Sequence, residues 1–157
     1  MVGVFNCNYH KNEGERTVIS GTISPADVPG LAGTNFIAYA HRKGRTWRCG
    51  PDSSIPISLS EGDWEVISFA PVERGVAVLG LADKLNSTSA VLAKKWRDDS
   101  TLTVTLHDGG KFLAWSEHPP GQLWLGKKSL PFVHDPAAGN WEADVPVGGR
   151  RQLTINW

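Results

Sequence analysis

Turn formers punctuate much of this chain at intervals of about 8 to 12 residues, and that punctuation constrains its fold more than any other feature. The marks are Asn12-Glu13-Gly14, Pro29-Gly30, Lys43-Gly44, Gly50-Pro51, Glu61-Gly62-Asp63, Asp108-Gly109-Gly110, Pro119-Pro120-Gly121 and Gly148-Gly149. Most intervals between them are too short for helices but suit strands of about five or six residues. Apolar and β-branched runs predict strands over 2–6, 17–23, 35–41, 46–49, 55–59, 64–70, 76–81, 88–96, 102–106, 111–117, 122–125, 141–145 and 152–157. The expected fold class is all-β: an antiparallel β-sandwich of roughly 10 to 13 short strands with no long helix. The 157 residues are enough for one sizeable core, so a single domain over 1–157 is expected.

Two segments test this reading. "VAVLGLADKLNSTSAVL", residues 76–92, opens with a continuous β-branched run that suits a buried strand; a short helix remains the alternative there. Asp83 to Ser87 then form a turn or bulged crossover. "TLTVTLHDGGKFLAWSE" alternates strictly up to Asp108-Gly109, a strong hairpin cue. A two-residue turn there sets Leu106 against Lys111, Val104 against Leu113 and Leu102 against Trp115, with Thr101, Thr103 and Thr105 on the wetter face.

Charge and composition narrow the function classes. Lys plus Arg and Asp plus Glu are 16 each, so no net field gathers nucleic acid or anionic lipid, and neither is expected as a partner. No apolar run approaches the roughly 18 to 20 residues of a membrane helix, and the N-terminus lacks the basic region of a secretory signal. A soluble, cytoplasmic chain is expected, with Cys7 and Cys49 as reduced thiols rather than a disulfide.

Carboxylates and histidines offer no catalytic constellation. A glycosidase needs two carboxyl groups about 5 to 10 Å apart in a cleft. Glu61, Asp63, Asp98, Asp99, Asp108 and Asp135 instead sit in turns, and Glu142 and Asp144 share the wet face of a late strand. His10, His41, His107, His118 and His134 lack metal-ligand spacing, so neither a metal nor a cofactor is expected. His107, Asp108 and Ser116 read as a turn and a strand face rather than a triad. Asn86-Ser87-Thr88 matches a glycosylation sequon but reads as a turn.

The seven tryptophans are the unusual feature, because flat aromatic faces stack on sugar rings. Strand parity sets Trp64, Trp115, Trp141 and Trp157 with apolar neighbours, as core. Trp47 shares a face with Ala38 and Cys49 and pairs with Ala40 across a Lys43-Gly44 turn; Trp96 ends its strand beside charges. Trp124 is the best exposed candidate for a sugar contact. Tyr39 and Arg48, cross-strand neighbours in the same Lys43-Gly44 register, share a face that could join it.

Several stretches resemble, in order, the C-terminal region of the raffinose synthase and seed imbibition protein family. They are Val2-Gly3-Val4-Phe5-Asn6-Cys7-Asn8, Ala40-His41-Arg42-Lys43-Gly44, Ile55-Pro56-Ile57-Ser58-Leu59, "ISFAPVERGVAVLGLADKLNSTSAV" and Gly110-Lys111-Phe112-Leu113-Ala114-Trp115-Ser116. The family's "PLGL…N…NSGGA" pattern is similar to Val78-Leu79-Gly80-Leu81 followed by Leu85-Asn86-Ser87-Thr88-Ser89-Ala90, with Thr88-Ser89 in place of two glycines. The match is weakest over 118–150.

The resemblance implies an accessory β-sandwich that packs on a catalytic (β/α)8 barrel in α-galactosidase-like enzymes. The family's paired aspartates lie in that barrel, and nothing in this sequence matches them. Two readings follow. One is an accessory, non-catalytic domain whose partner is the barrel, or a second copy through the surface meant for it; it implies an exposed apolar patch and no sugar affinity. The other is a carbohydrate-binding module that presents Trp124, Tyr39 and Arg48 to a galactoside. An independent hydrolase is disfavoured by the missing carboxylate pair.

Overall fold

A computed structural model describes residues 1–84 and 86–157. It holds fifteen strands and only single turns of 3-10 helix among the described residues, an all-β fold. The chain divides into two compact units, Met1–Pro71 and Val72–Trp157. The turn expected between Asp83 and Ser87 contains Leu85, which lies outside the described residues.

In the first unit, β1 (Val2–Phe5), β6 (Trp64–Pro71), β3 (Phe36–Ala40) and β4 (Arg45–Cys49) pair antiparallel in that order. A second sheet joins β2 (Ile19–Ile23) to β5 (Ile55–Leu59). Period-two alternation in β5 sends Ile55, Ile57 and Leu59 inward, while Pro56 and Ser58 face solvent. These side chains and Ile23 pack with Phe36, Ala38, Ala40, Ile67 and Phe69 from the other sheet, forming the first core. Each large aliphatic or aromatic side chain buried this way contributes about 1.5–3 kcal/mol.

The turn between β3 and β4 departs from the two-residue expectation. Ala40 pairs with Arg45, so the connection is the four residues His41 to Gly44, and the register slides by two. Trp47 therefore faces Ala38, not Ala40; Arg48 faces Ile37, and Tyr39 faces Thr46. A two-residue slide keeps face membership, and Trp47 packs against the first core as its parity requires.

The buried carboxylate of Glu65 organises this loop. It is 1 % exposed, with Oε1 accepting the backbone N–H groups of Arg42 and Val66 at 2.9 Å each and Oε2 that of Lys43 at 3.2 Å. Glu65 shares its parity with Ile67 and Phe69, and Trp64 takes the opposite face, 37 % exposed beneath the Arg42 guanidinium. That overturns the core assignment of Trp64. Alternation separates two faces, but satisfied backbone donors make the carboxylate position the inward one.

The second unit is a β-sandwich. One sheet runs β13 (Val133–Asp135), β14 (Asn140–Val145), β10 (Gly110–Ser116), β7 (Val76–Leu81). The other runs β12 (Lys128–Ser129), β11 (Gln122–Leu125), β15 (Arg151–Asn156), β9 (Thr101–Leu106), β8 (Val91–Trp96). Leu102, Val104, Leu106, Leu123, Leu153 and Ile155 meet Val78, Phe112, Ala114, Trp141, Ala143 and Val145 in one core. Strand β7 is buried along its whole length, as its charge-free sequence predicts.

Here the Asp108-Gly109 hairpin is overturned. Strand β9 pairs with β15 and β8, and β10 pairs with β14 and β7, so the Asp-Gly segment crosses from one sheet to the other. Phe112 and Ala114 point into the core, whereas Leu113 and Trp115 lie outside that cluster, although they too are buried. Trp115 spends its indole N–H on the Ala138 carbonyl at 3.0 Å. The strand expected over 88–96 begins at Val91, after a 3-10 turn over Ser87–Ala90.

Gly80 shapes the start of the crossover from β7 to β8, which lie in different sheets. Its φ is +95°, and a Cβ there would sit 2.0 Å from the Ser87 carbonyl oxygen. Only glycine lets the backbone approach so closely in this conformation. Opposite it, the β10–β7 register shifts between Leu113 and Ala114, a bulge that leaves Leu79 without a partner residue in the ladder.

Candidate functional site

Three sets of residues are candidates for a functional role. The first lies in the first unit, where the edge strands β1 and β2 border an apolar cleft of about 100 Å3 lined by Val4, Phe5, Ile19, Ile23, Ile57 and Leu59. Asn6 fixes one wall: buried, it donates its amide to the carbonyls of Leu59 at 3.1 Å and Thr17 at 3.4 Å. Beyond it, Glu61 accepts the His10 backbone N–H and meets the ring Nδ1, both at 2.6 Å, and the His10 contact holds the Glu61 carboxyl below its usual range. Phe5 is 64 % exposed at the mouth of the cleft, with Ile19 in its lining and Val18 and Tyr9 nearby in sequence and also exposed. Phe5 and Ile19 thus leave apolar area in water beside the cleft, the kind of surface a partner can cover.

The second lines a cleft of about 180 Å3 in the second unit. Its indoles come from Trp96, at the end of β8, and Trp157, after β15; their rings lie 5.6 Å apart and are tilted by 35°. The Arg74 guanidinium sits 5.4 Å from the Trp96 ring centroid and pairs with Asp99 at 2.8 Å. Glu117 and His118 complete the rim. The carbonyl of His118 accepts from Ser116 Oγ at 2.6 Å and from the Trp157 indole N–H at 3.1 Å. Ser116 in turn accepts the N–H of the fully buried Trp141 at 3.1 Å, tying the rim to the core. Trp157, expected in the core, is thus half-buried between core and cleft.

The third comprises the residues singled out in the sequence. Tyr39 is buried on β3, 8 % exposed, with its ring edge-on to His41 at 5.0 Å; Arg48 is exposed on β4. Both belong to the first unit. Trp124 belongs to the second, half-buried on β11 between Ser129 and Thr154, with its indole N–H toward Gln122 Oε1 at 3.3 Å.

Several polar groups elsewhere hold the fold. Glu142 pairs with Lys111 at 3.2 Å, and Ser116 serves the hydrogen-bond chain just described. The Asp108 carboxylate accepts the backbone N–H groups of Gly148, Gly109 and Gly149, which hold its pKa down at about 2. Cys7 and Cys49 are free, and burial pushes the Cys49 thiol up. Among the described residues no three His, Cys, Asp or Glu side chains gather as metal ligands, and no helix is long and apolar enough to cross a membrane.

Two curated proteins of Arabidopsis thaliana are similar to this chain. Probable galactinol–sucrose galactosyltransferase 4 is 25 % identical over 93 % of the chain and 20 % of its own length. Probable galactinol–sucrose galactosyltransferase 1 is 28 % identical over 88 % of the chain and 22 % of its own length. The chain thus spans about a fifth of the relatives it matches. The profile of the family described as raffinose synthase or seed imbibition protein Sip1 matches residues 3–145, and with an all-β fold across that range the chain belongs to this family.

Proposed function

We propose that this chain is an accessory, non-catalytic β-sandwich region of raffinose-synthase-type carbohydrate chemistry, acting in the cytoplasm by docking on a catalytic (β/α)8 barrel. The observation that carries the reading is the apolar cleft between edge strands β1 and β2, where Phe5 and Ile19 stand in water. A surface of this kind is stable in solution only at a cost, and a partner removes about 25 cal/mol for each Å2 of apolar area it covers. The chain's span of about a fifth of its relatives fits a role within a larger assembly. In this reading the bond-breaking carboxylates belong to the barrel, while the carboxylates of this chain serve turns, ion pairs and loop caps.

The test is galactosyl transfer by the purified chain alone, with galactinol as donor and sucrose as acceptor, beside a family galactosyltransferase as control. The reading expects no transfer above the uncatalysed rate. Transfer that survives purification and is lost on substitution of a carboxylate of this chain would overturn it.

A further inference from the structure

The cleft lined by Arg74, Val76, Trp96, Glu117, His118 and Trp157, beside the contacting indole pair, is built like a ligand site and is not used by the docking role. Its backbone carries the evidence first. Glu73 and Val76 exchange backbone hydrogen bonds at 2.8 and 3.0 Å across a two-residue turn formed by Arg74 and Gly75. Both turn residues have positive φ, +52° at Arg74 and +73° at Gly75, a geometry that favours Asn, Asp or Gly. Among the described residues Arg74 is the one non-glycine in the left-handed region. An unfavourable residue held at the rim of a cleft points to a function for its side chain.

The side chains then narrow the chemistry. Arg74 is balanced by Asp99 at 2.8 Å and shares the rim with the Glu117 carboxylate, so the cleft has no surplus positive charge to hold a phosphate or other anion. Val76 and the two indoles give it apolar walls, and Arg74, Asp99, Glu117 and His118 surround them with hydrogen-bonding groups. The complementary ligand is neutral, with a compact apolar face and a periphery of hydroxyls, which describes a pyranose. At about 180 Å3 the cleft is small, suited to one sugar ring rather than to an oligosaccharide. The bonds from Ser116 and Trp157 to the His118 carbonyl fix the rim before any ligand arrives, which lowers the entropy lost on binding.

We propose that this cleft is a binding subsite for a single pyranose ring of a neutral galactoside, an affinity that docking alone does not require; the choice of galactose rests on the raffinose-synthase-type chemistry of the proposed function, whereas the choice of a neutral sugar rests on the cleft. The experiment is a 1H–15N titration of the full chain with galactinol and raffinose, and separately with sucrose, to millimolar concentration. The indole N–H signals of Trp96 and Trp157 are expected to shift saturably with the galactosides. Trp96→Ala should weaken the affinity at least tenfold. Arg74→Gly should weaken it severalfold while the melting temperature holds or rises, because the turn favours glycine, so lost binding cannot be ascribed to unfolding.

Unmoved indole signals in the folded protein overturn the site, as do shifts that persist at full strength in Trp96→Ala or that are confined to Trp124. An equal response to sucrose and to the galactosides overturns the galactose assignment. Failure of the non-catalytic reading is seen separately, as transfer products appearing when galactinol and sucrose are mixed with the chain.

Discussion

Asp108 Oδ1 accepts the backbone N–H of Gly148 at 2.8 Å, joining the β9–β10 crossover to the β14–β15 turn forty residues away. The same oxygen accepts from Gly149 at 2.9 Å and Gly109 at 2.7 Å. Three N–H groups converging on one carboxylate oxygen favour its charged form, which is why the pKa falls from 3.8 to about 2. A pKa lowered by folding means that the charged form stabilises the folded state. The contribution is full above about pH 4 and is lost as the pH falls toward 2. A carbon-detected titration of the Asp108 carboxyl should give its inflection near 2, and Asp108→Asn should flatten the fall in melting temperature over that window. An inflection near the ordinary value would contradict the convergence of the three donors.

Gly80→Ala tests the close approach at the end of β7. The added methyl would lie 2.0 Å from the Ser87 carbonyl oxygen in a backbone with φ of +95°. Strain in the left-handed region and displacement of the Ser87 turn together should cost about 2 kcal/mol or more. Chemical denaturation should show the midpoint falling at unchanged slope. A neutral substitution would mean that the crossover is free to move.

Glu65 should discriminate between two substitutions. Glu65→Ala leaves the N–H groups of Arg42, Val66 and Lys43 without their acceptor and should cost about 2–4 kcal/mol. Glu65→Gln keeps an oxygen for Arg42 and Val66 and should cost less than half of that. Amide exchange at Arg42 and Lys43 should quicken in Glu65→Ala. Equal melting temperatures for the two variants would remove the loop-capping role.

Much of this architecture is legible in the sequence, for reasons that also explain the exceptions. Strands β5, β7 and β11 match their expected bounds because turn residues bracket each run. Strands β12 and β13, two and three residues long, are too short to carry a pattern. Asp108-Gly109 misleads because a hairpin cue is local, while the side chain of Asp108 serves a turn distant in sequence and β9 finds β15 as its partner. Trp64 misleads because alternation does not say which face is inward, and the partners of Glu65 decide it. The indole cleft was not legible because Arg74, Trp96, Glu117 and Trp157 come from four separate segments.

If this chain docks through the β1–β2 cleft onto a catalytic barrel, as proposed, it should restore activity in trans to a barrel that lacks it. A family galactosyltransferase lacking the region that this chain matches would be assayed with galactinol and sucrose while the chain is titrated in. Docking should give a saturable rise in transfer and co-sedimentation of the two proteins, both weakened at least tenfold by Phe5→Ser with Ile19→Ser. Those two positions are exposed, so each substitution should alter the chain's own stability by no more than about 0.5 kcal/mol. Folded partners that neither co-sediment nor gain activity, or a gain indifferent to Phe5 and Ile19, would contradict it.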